Sequence, residues 1–214
     1  MARTAGTFTK FKEKQLAGAA SLNLATLNIK GTLIQLLTWG IAVTAATNAS
    51  PSVVTCTAHG MANGDRVCII GSLGNTAING LFSVAGVTTN TFTLTDLDTA
   101  AAVAGNGVWT SGGRLIKLEV DQFLGDIPVG DRGAASANFT SKTYVRAAFD
   151  SADPVCSSVP AATYSAFVVY NDTGTVGTSD LLSIAMGGAG LPITVGSGSP
   201  TVNVTVDPTG HFIL

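Results

Sequence analysis

The stretch best equipped for chemistry is Ala58 to Gly71, AHGMANGDRVCIIG, which places a histidine, an aspartate, an arginine and a cysteine in one short run. His59 could act as a general base with Asp65 orienting its ring, and Cys56 or Cys68 could supply the nucleophile. The same residues also describe a turn. His59, Gly60, Asn63 and Gly64 have the composition of a tight reversal leading into DRVCIIG, because Asn-Gly adopts positive φ at low cost. Asp65 would then accept backbone N–H bonds. Alternation along RVCIIG puts Val67 and Ile69 on one face and Cys68 and Ile70 on the other. Cys56 follows SVVT in a second strand-like run, so a cross-strand contact between Cys56 and Cys68 is expected. Reactive thiols need exposure and a lowered pKa, and these are expected to be inert core groups. The turn is the preferred reading.

Other candidate chemistry is sparse. The chain holds three cysteines with no CxxC spacing and two histidines, the second being His211. Asp121, Asp126, Asp131, Asp150, Asp153 and Asp172 are scattered without the D-x-D-x-D-G spacing of a calcium loop. DSADP and YNDTG fit Asx turns. No GxSxG, Walker A, HExxH or RNP pattern occurs. Gly187, Gly188, Gly190 and GSGSP are breaks between strands. No catalytic, cofactor-binding or metal-binding residue is therefore assigned, and no enzymatic activity or cofactor is expected.

The elements that would carry these residues follow from composition. The chain has 214 residues, 46% hydrophobic and only 11% charged, where about 25% charged is usual. It can bury a core, and its surface must be largely Thr, Ser, Asn, Gly and backbone. Weak surface charge gives little repulsion between neighbouring copies and suits permanent assembly. The net charge of −2 attracts no nucleic acid. The sign is uneven: residues 1–38 carry Arg3, Lys10, Lys12, Lys14 and Lys30 against Glu13, whereas residues 114–214 carry five basic and nine acidic groups. Lys10, Lys12 and Lys14 either meet an acidic neighbour or form the wet face of a helix. The longest apolar stretch, Leu33 to Ala46, is too short and interrupted to span a bilayer. MARTAGTFTKFKEK lacks the apolar core of a secretion signal, so synthesis in a cytoplasm is expected.

One segment, TFTKFKEKQLAGA, reads as a short amphipathic helix. The rest alternates strand and turn: LNIKGTLIQLL, SVVTCTA, DRVCIIG, LFSVAGV, TFTLTD, GGRLIKLEV, SAFVVYNDT, DLLSIAM, TVNVTVD and HFIL. Short β-rich runs broken by Gly and Asn turns predict a sandwich or small barrel. Between Trp39 and Gly113 the only charged residues are Asp65, Arg66, Asp96 and Asp98. This block, residues 40–112, is expected to be a separate small β-barrel inserted into a surface loop of a host domain formed by 1–39 and 113–214. The fold expected is all-β: a β-sandwich-like host with a short N-terminal helix and an inserted barrel. Trp39 and Trp109 flank the block, where they would pack its base or serve a subunit interface.

Two resemblances sharpen this reading. ATNASPSVVTCTAHGMANGDRVCIIG followed by INGLFSVAGVTTNTFTL resembles the FCCH-like module found in tailed-phage virion proteins, whose pattern runs aHGl-nGD-V-i-G and then lNG--f-V--vt-ntFtL. The agreement spans roughly residues 43 to 95 and implies a structural barrel. The flanks, through KFKEKQLAG, LNIKGTLIQL, FLGDIPVGDRGAAS and above all VVYNDTGTVGTSDLLSIA, resemble a group of small phage structural proteins with the pattern iVIYkDTGT--tSrLIAyid. Asp180 departs from it, standing where the group carries a basic residue, and so marks a candidate neighbour contact. Together the resemblances imply a virion component assembled in the bacterial cytoplasm. The expected role is a capsid decoration or cement protein, bound to the major capsid protein or other virion subunits and self-associating as a trimer or dimer, without nucleic acid or membrane. A tail, collar or fibre component is the alternative within the virion. A secreted carbohydrate-binding protein would show a signal peptide and clustered exposed aromatics, which this chain does not display.

Overall fold

A computed structural model describes residues 5–8, 13, 23–145, 148–186, 191–198, 200–205 and 212–213. The described chain is all-β, and its helical pieces are 3₁₀ turns at Thr76–Ile78, Leu124–Asp126 and Val129–Asp131, together with Glu13, which is helical. The helix expected over TFTKFKEKQLAGA lies outside the described residues apart from Thr7, Phe8 and Glu13. Ala5–Thr7, just before it, is a strand. No helix among the described residues is long and apolar enough to cross a membrane.

Residues 38–120 form one compact unit. Its antiparallel sheet runs in the order Ile41–Ala42, Ser111–Lys117, Arg66–Leu73, Gly80–Ala85, Thr91–Asp96, Val53–Thr55, Ala45–Ala46. The two outermost pieces are halves of one stretch of chain. Ile41 and Ala42 pair with Leu115 and Arg114, while Ala45 and Ala46 pair with Thr55 and Val54. Between and beyond them, Val43 N–H donates to Gly113 O (3.0 Å), Thr44 N–H to Thr55 O (2.9 Å) and Thr47 N–H to Val53 O (2.9 Å). One stretch of chain thus borders both ends of the curled sheet and leaves only two-residue strands at its edges, too short to invite foreign pairing. Curling needs a close backbone approach at Gly112, where a Cβ would lie 2.5 Å from Gly71 O.

Strand alternation fills the interior of this unit. Val67 and Ile69 pack with Val54, Phe82, Phe92 and Leu115, and each such side chain contributes roughly 1.5–3 kcal/mol by leaving water. Cys68 and Ile70 point the other way and are buried as well. Cys68 pairs with Leu81 and Ile116. Cys56 follows Val53–Thr55, whose neighbours in the sheet are Thr91–Asp96 and Ala45–Ala46. The expected cross-strand contact between Cys56 and Cys68 is not formed, because two strands separate theirs.

The second unit comprises 5–37 and the described part of 121–214. Its main antiparallel sheet has the order Ala5–Thr7, Leu181–Met186, Ala166–Asn171, Ile29–Ile34, Arg132–Ala135. Thr143–Val145, Ala148–Asp150 and Phe212–Ile213 form a smaller sheet, and Val155–Cys156 with Val202–Asn203 and Ala162–Tyr164 with Ile193–Val195 form two strand pairs. The central strand AFVVY is buried on both faces, which explains its unbroken apolar run. Gly31 sits under the Phe167 ring, where a Cβ would meet Cζ at 2.0 Å. Phe167, Val169, Leu33, Phe149, Tyr164 and Leu182 form the heart of this core.

Charge density and hydrogen bonding mark the unit boundary differently. The return of charge at Arg114 and Lys117 puts the boundary at 112–113. The ladder between Ser111–Lys117 and Arg66–Leu73 instead keeps that strand inside the central unit, through to Val120.

Candidate functional site

The His59 run folds as a turn held by its own polar groups. Asp65 N–H donates to Ala62 O (3.2 Å), and Ala62 N–H donates back to Asp65 Oδ2 (2.8 Å). Gly60 and Gly64 take positive φ, +62° and +96°, the second as the Asn63–Gly64 pair predicts. Asn63 Oδ1 accepts from Val87 N–H and Asn90 Oδ1 from Ala58 N–H, tying the turn to the neighbouring hairpin.

His59 itself is 1% exposed. Its Nδ1 accepts Met61 N–H at 3.2 Å, so the neutral ring carries its proton on Nε2. Nε2 is buried without a hydrogen-bond partner among the described residues. The ring stands edge-on to Phe92, centroids 5.2 Å apart at 86°, a favourable aromatic geometry. Lys117 Nζ donates to the His59 carbonyl (3.2 Å). With Nδ1 occupied by backbone and Nε2 protonated in the core, this imidazole offers no free lone pair to a substrate. Asp65, spent on Ala62, does not orient it.

The thiols are equally withdrawn. Burial pushes Cys56 up to about 12 and Cys156 up to about 11, and raises Cys68 as well. A thiol that stays protonated at neutral pH is a weak nucleophile.

The aspartates act on their own loops. Asp126 Oδ2 accepts Gln122 N–H and Phe123 N–H, both at 2.8 Å. Asp172 Oδ1 accepts Gly174 N–H (2.9 Å) in the YNDTG turn, and its other oxygen meets Lys30 Nζ at 2.7 Å. The Lys30 bond, then that N–H, hold the Asp172 carboxyl below its usual range. Asp131 is fully buried and accepts Leu37 N–H at 2.8 Å. No group of three His, Cys, Asp or Glu gathers to hold a metal among the described residues.

Of the candidate interface residues, Trp39 is 2% exposed and Asp180 is buried, so neither presents its side chain on the surface of the folded chain. Asp180 instead serves its own sheet: its carbonyl accepts Asn171 N–H (2.9 Å), and it bridges to Phe123. Trp109 is half-buried against the barrel core and donates Nε1–H to Gly112 O (3.2 Å), leaving part of the ring accessible. Lys10, Lys12 and Lys14 lie outside the described residues. Sequence reading overlooked the exposed apolar side chains Leu37, Leu73, Val108 and Val129. Their runs look like ordinary strand or turn, and only the tertiary fold reveals which face is wet.

A cleft of about 670 Å³ opens in the barrel unit between the Thr76–Ile78 turn and the loop after Thr91–Asp96. Asp96 stays ionised there, held low by N–H bonds from Thr99 and Asp98 and by the Thr99 hydroxyl. The residues lining the cleft include Asp98 and the hydroxyl-bearing Thr76 and Thr99 beside Asp96, and no histidine, cysteine, lysine or arginine.

Compared with protein-family models and with curated proteins, the chain matches none.

Proposed function

We propose that the chain is a non-enzymatic structural subunit of a tailed-bacteriophage virion, a decoration or cement protein on the head surface. The observation that carries this reading is an inversion of the usual layout. His59 and the three thiols are buried, whereas Val108 and Val129 are 74% and 78% exposed on a chain of only 11% charge. Exposed apolar side chains on a weakly charged surface favour contact with other subunits. The resemblances over residues 43 to 95 and around VVYNDTGTVGTSDLLSIA point to the same class. In this role the subunit bridges neighbouring major capsid subunits by apolar burial and self-associates on the shell as a trimer or dimer.

Quantitative mass spectrometry of purified virions tests the proposal. Copy numbers on the scale of the major capsid protein are expected. A few dozen copies or fewer would move the subunit to the tail, collar or fibre, and absence from purified particles would end the virion reading.

A further inference from the structure

The barrel unit contains three Asn-Gly pairs, at 63–64, 79–80 and 106–107. In such pairs no Cβ shields the backbone nitrogen that follows the asparagine, so that nitrogen can attack the side-chain carbonyl carbon. We infer that Asn106–Gly107 is a self-modification site, at which the folded chain closes a succinimide and hydrolyses it to a carboxylate, assisted by Ala77 and Thr76.

The three pairs are held differently. At Asn63, the attacking group is occupied: Gly64 N–H donates to Val84 O at 2.8 Å. At Asn79, the attacking nitrogen belongs to Gly80, which pairs with Ile69 in the sheet. Gly80 is moreover buried in a strand. At Asn106 the arrangement favours reaction. Its Oδ1 accepts Ala77 N–H at 2.9 Å, a donor placed where negative charge grows as nitrogen adds to the carbonyl. Its Nδ2 lies 2.9 Å from Thr76 Oγ1, a hydroxyl able to relay a proton to the departing amine. Asn106 N–H donates to the buried Asn75 (3.2 Å), which fixes the residue. Gly107 N–H donates to no group among the described residues, and residue 107 lies outside any ladder.

The step balances without an oxidant. Gly107 N bonds to Asn106 Cγ and loses its proton, the Cγ–Nδ2 bond breaks, and ammonia carries that proton away. Water then opens the ring at either carbonyl, giving aspartate or isoaspartate. An aspartate product is tolerated locally, since its carboxylate still accepts Ala77 N–H while the Thr76 hydroxyl turns from acceptor to donor. The change adds negative charge next to Thr76 and Ala77, which line the cleft holding Asp96 and Asp98.

The test holds the purified chain at mildly alkaline pH, folded or in urea, and follows each Asn-Gly pair by peptide mapping and mass spectrometry. In the folded chain Asn106 should convert before Asn63 and Asn79, and about tenfold faster than Asn106 in urea, one barrier hydrogen bond being worth about that factor. Thr76→Val should remove most of that advantage and Thr76→Ser should retain it. Asn106→Gln should abolish the modified species. Conversion of folded Asn106 no faster than in urea, Asn63 reacting first, or a Thr76→Val rate equal to wild type would each overturn the assignment.

Discussion

The two units solve the same problem, an all-β core with little charge, in opposite ways. The described part of the first unit, 38–120, is one run of sequence, and its Ile41–Ala46 stretch joins the two ends of its sheet. Many of its pairings are between neighbouring strands, as in Arg66–Leu73 with Gly80–Ala85 and Gly80–Ala85 with Thr91–Asp96. The other unit is split, and its central Ile29–Ile34 strand pairs with Ala166–Asn171 and Arg132–Ala135 from far along the chain. Distant pairing must overcome loop-closure entropy before burial rewards it. The difference teaches that the central unit draws its order mostly from local contacts, while the outer unit depends on its ends meeting.

Their turns differ too. In the central unit amides do much of the stapling. The fully buried Asn75 donates to Thr47 O (2.9 Å) and Ser52 Oγ (3.1 Å), and Asn79 grips Ser72. In the outer unit carboxylates take this role, at Asp126, Asp131 and Asp172. An amide both donates and accepts and does not titrate, whereas a carboxylate only accepts and carries charge.

The most drastic way to break the comparison is to cut one unit out. Deleting 41–111 should yield an aggregating protein, because it strands Leu115 and Ile116, both fully buried, without their partner strands. Deleting 38–120 with a short glycine bridge should leave a soluble outer unit with a β-type circular dichroism spectrum. Equal solubility of the two deletions would show that Ser111–Lys117 does not belong to the central unit.

Core truncation comes next. Phe92→Ala in the central unit and Phe149→Ala in the outer one should each cost about 3–5 kcal/mol, read by denaturant unfolding. Thiol alkylation locates the damage. Phe92→Ala should bring forward labelling of Cys56 and Cys68, and Phe149→Ala that of Cys156. If either variant exposes all three cysteines together, the units unfold as one.

A smaller loss is expected at the Asp131 staple. Asp131→Ala leaves Leu37 N–H without its carboxylate acceptor and should cost about 1–3 kcal/mol, again advancing Cys156 before Cys56.

The smallest effect belongs to Asp172. Its side chain and that of Lys30 are 20% and 28% exposed, so the pair is worth at most about 1 kcal/mol. The folded carboxyl lies below its usual range, so its contribution is complete above the unfolded value of about 3.9 and is lost as pH falls through the folded one. Asp172→Asn should lower stability slightly at neutral pH and flatten that acid limb. An unchanged limb would remove Asp172 from the acid response.

Much of the architecture was legible from residue type and spacing. Alternation in RVCIIG, the unbroken AFVVY run and the Asn-Gly turn at Asn63–Gly64 depend on neighbours within a few residues, and a strand face or a positive φ is a local property. Asp65 and Asp172 were readable as turn acceptors for the same reason. Charge density rises at Arg114 and Lys117, whereas hydrogen bonding keeps Ser111–Lys117 with Arg66–Leu73: a charged side chain on a half-buried strand says nothing about which strand its backbone pairs with.

The sequence by itself determined an all-β chain with sequestered thiols, a histidine turn and a charge-poor central block, since these follow from local sterics and hydrophobicity. Only the tertiary structure decided that Ile41–Ala46 borders both ends of the sheet, that Cys56 and Cys68 lie on strands two apart, that Trp39 and Asp180 are buried, and that Asn106 meets Thr76 and Ala77. Those outcomes depend on which distant segments pair, a choice made by burial and backbone hydrogen bonding summed over the whole core.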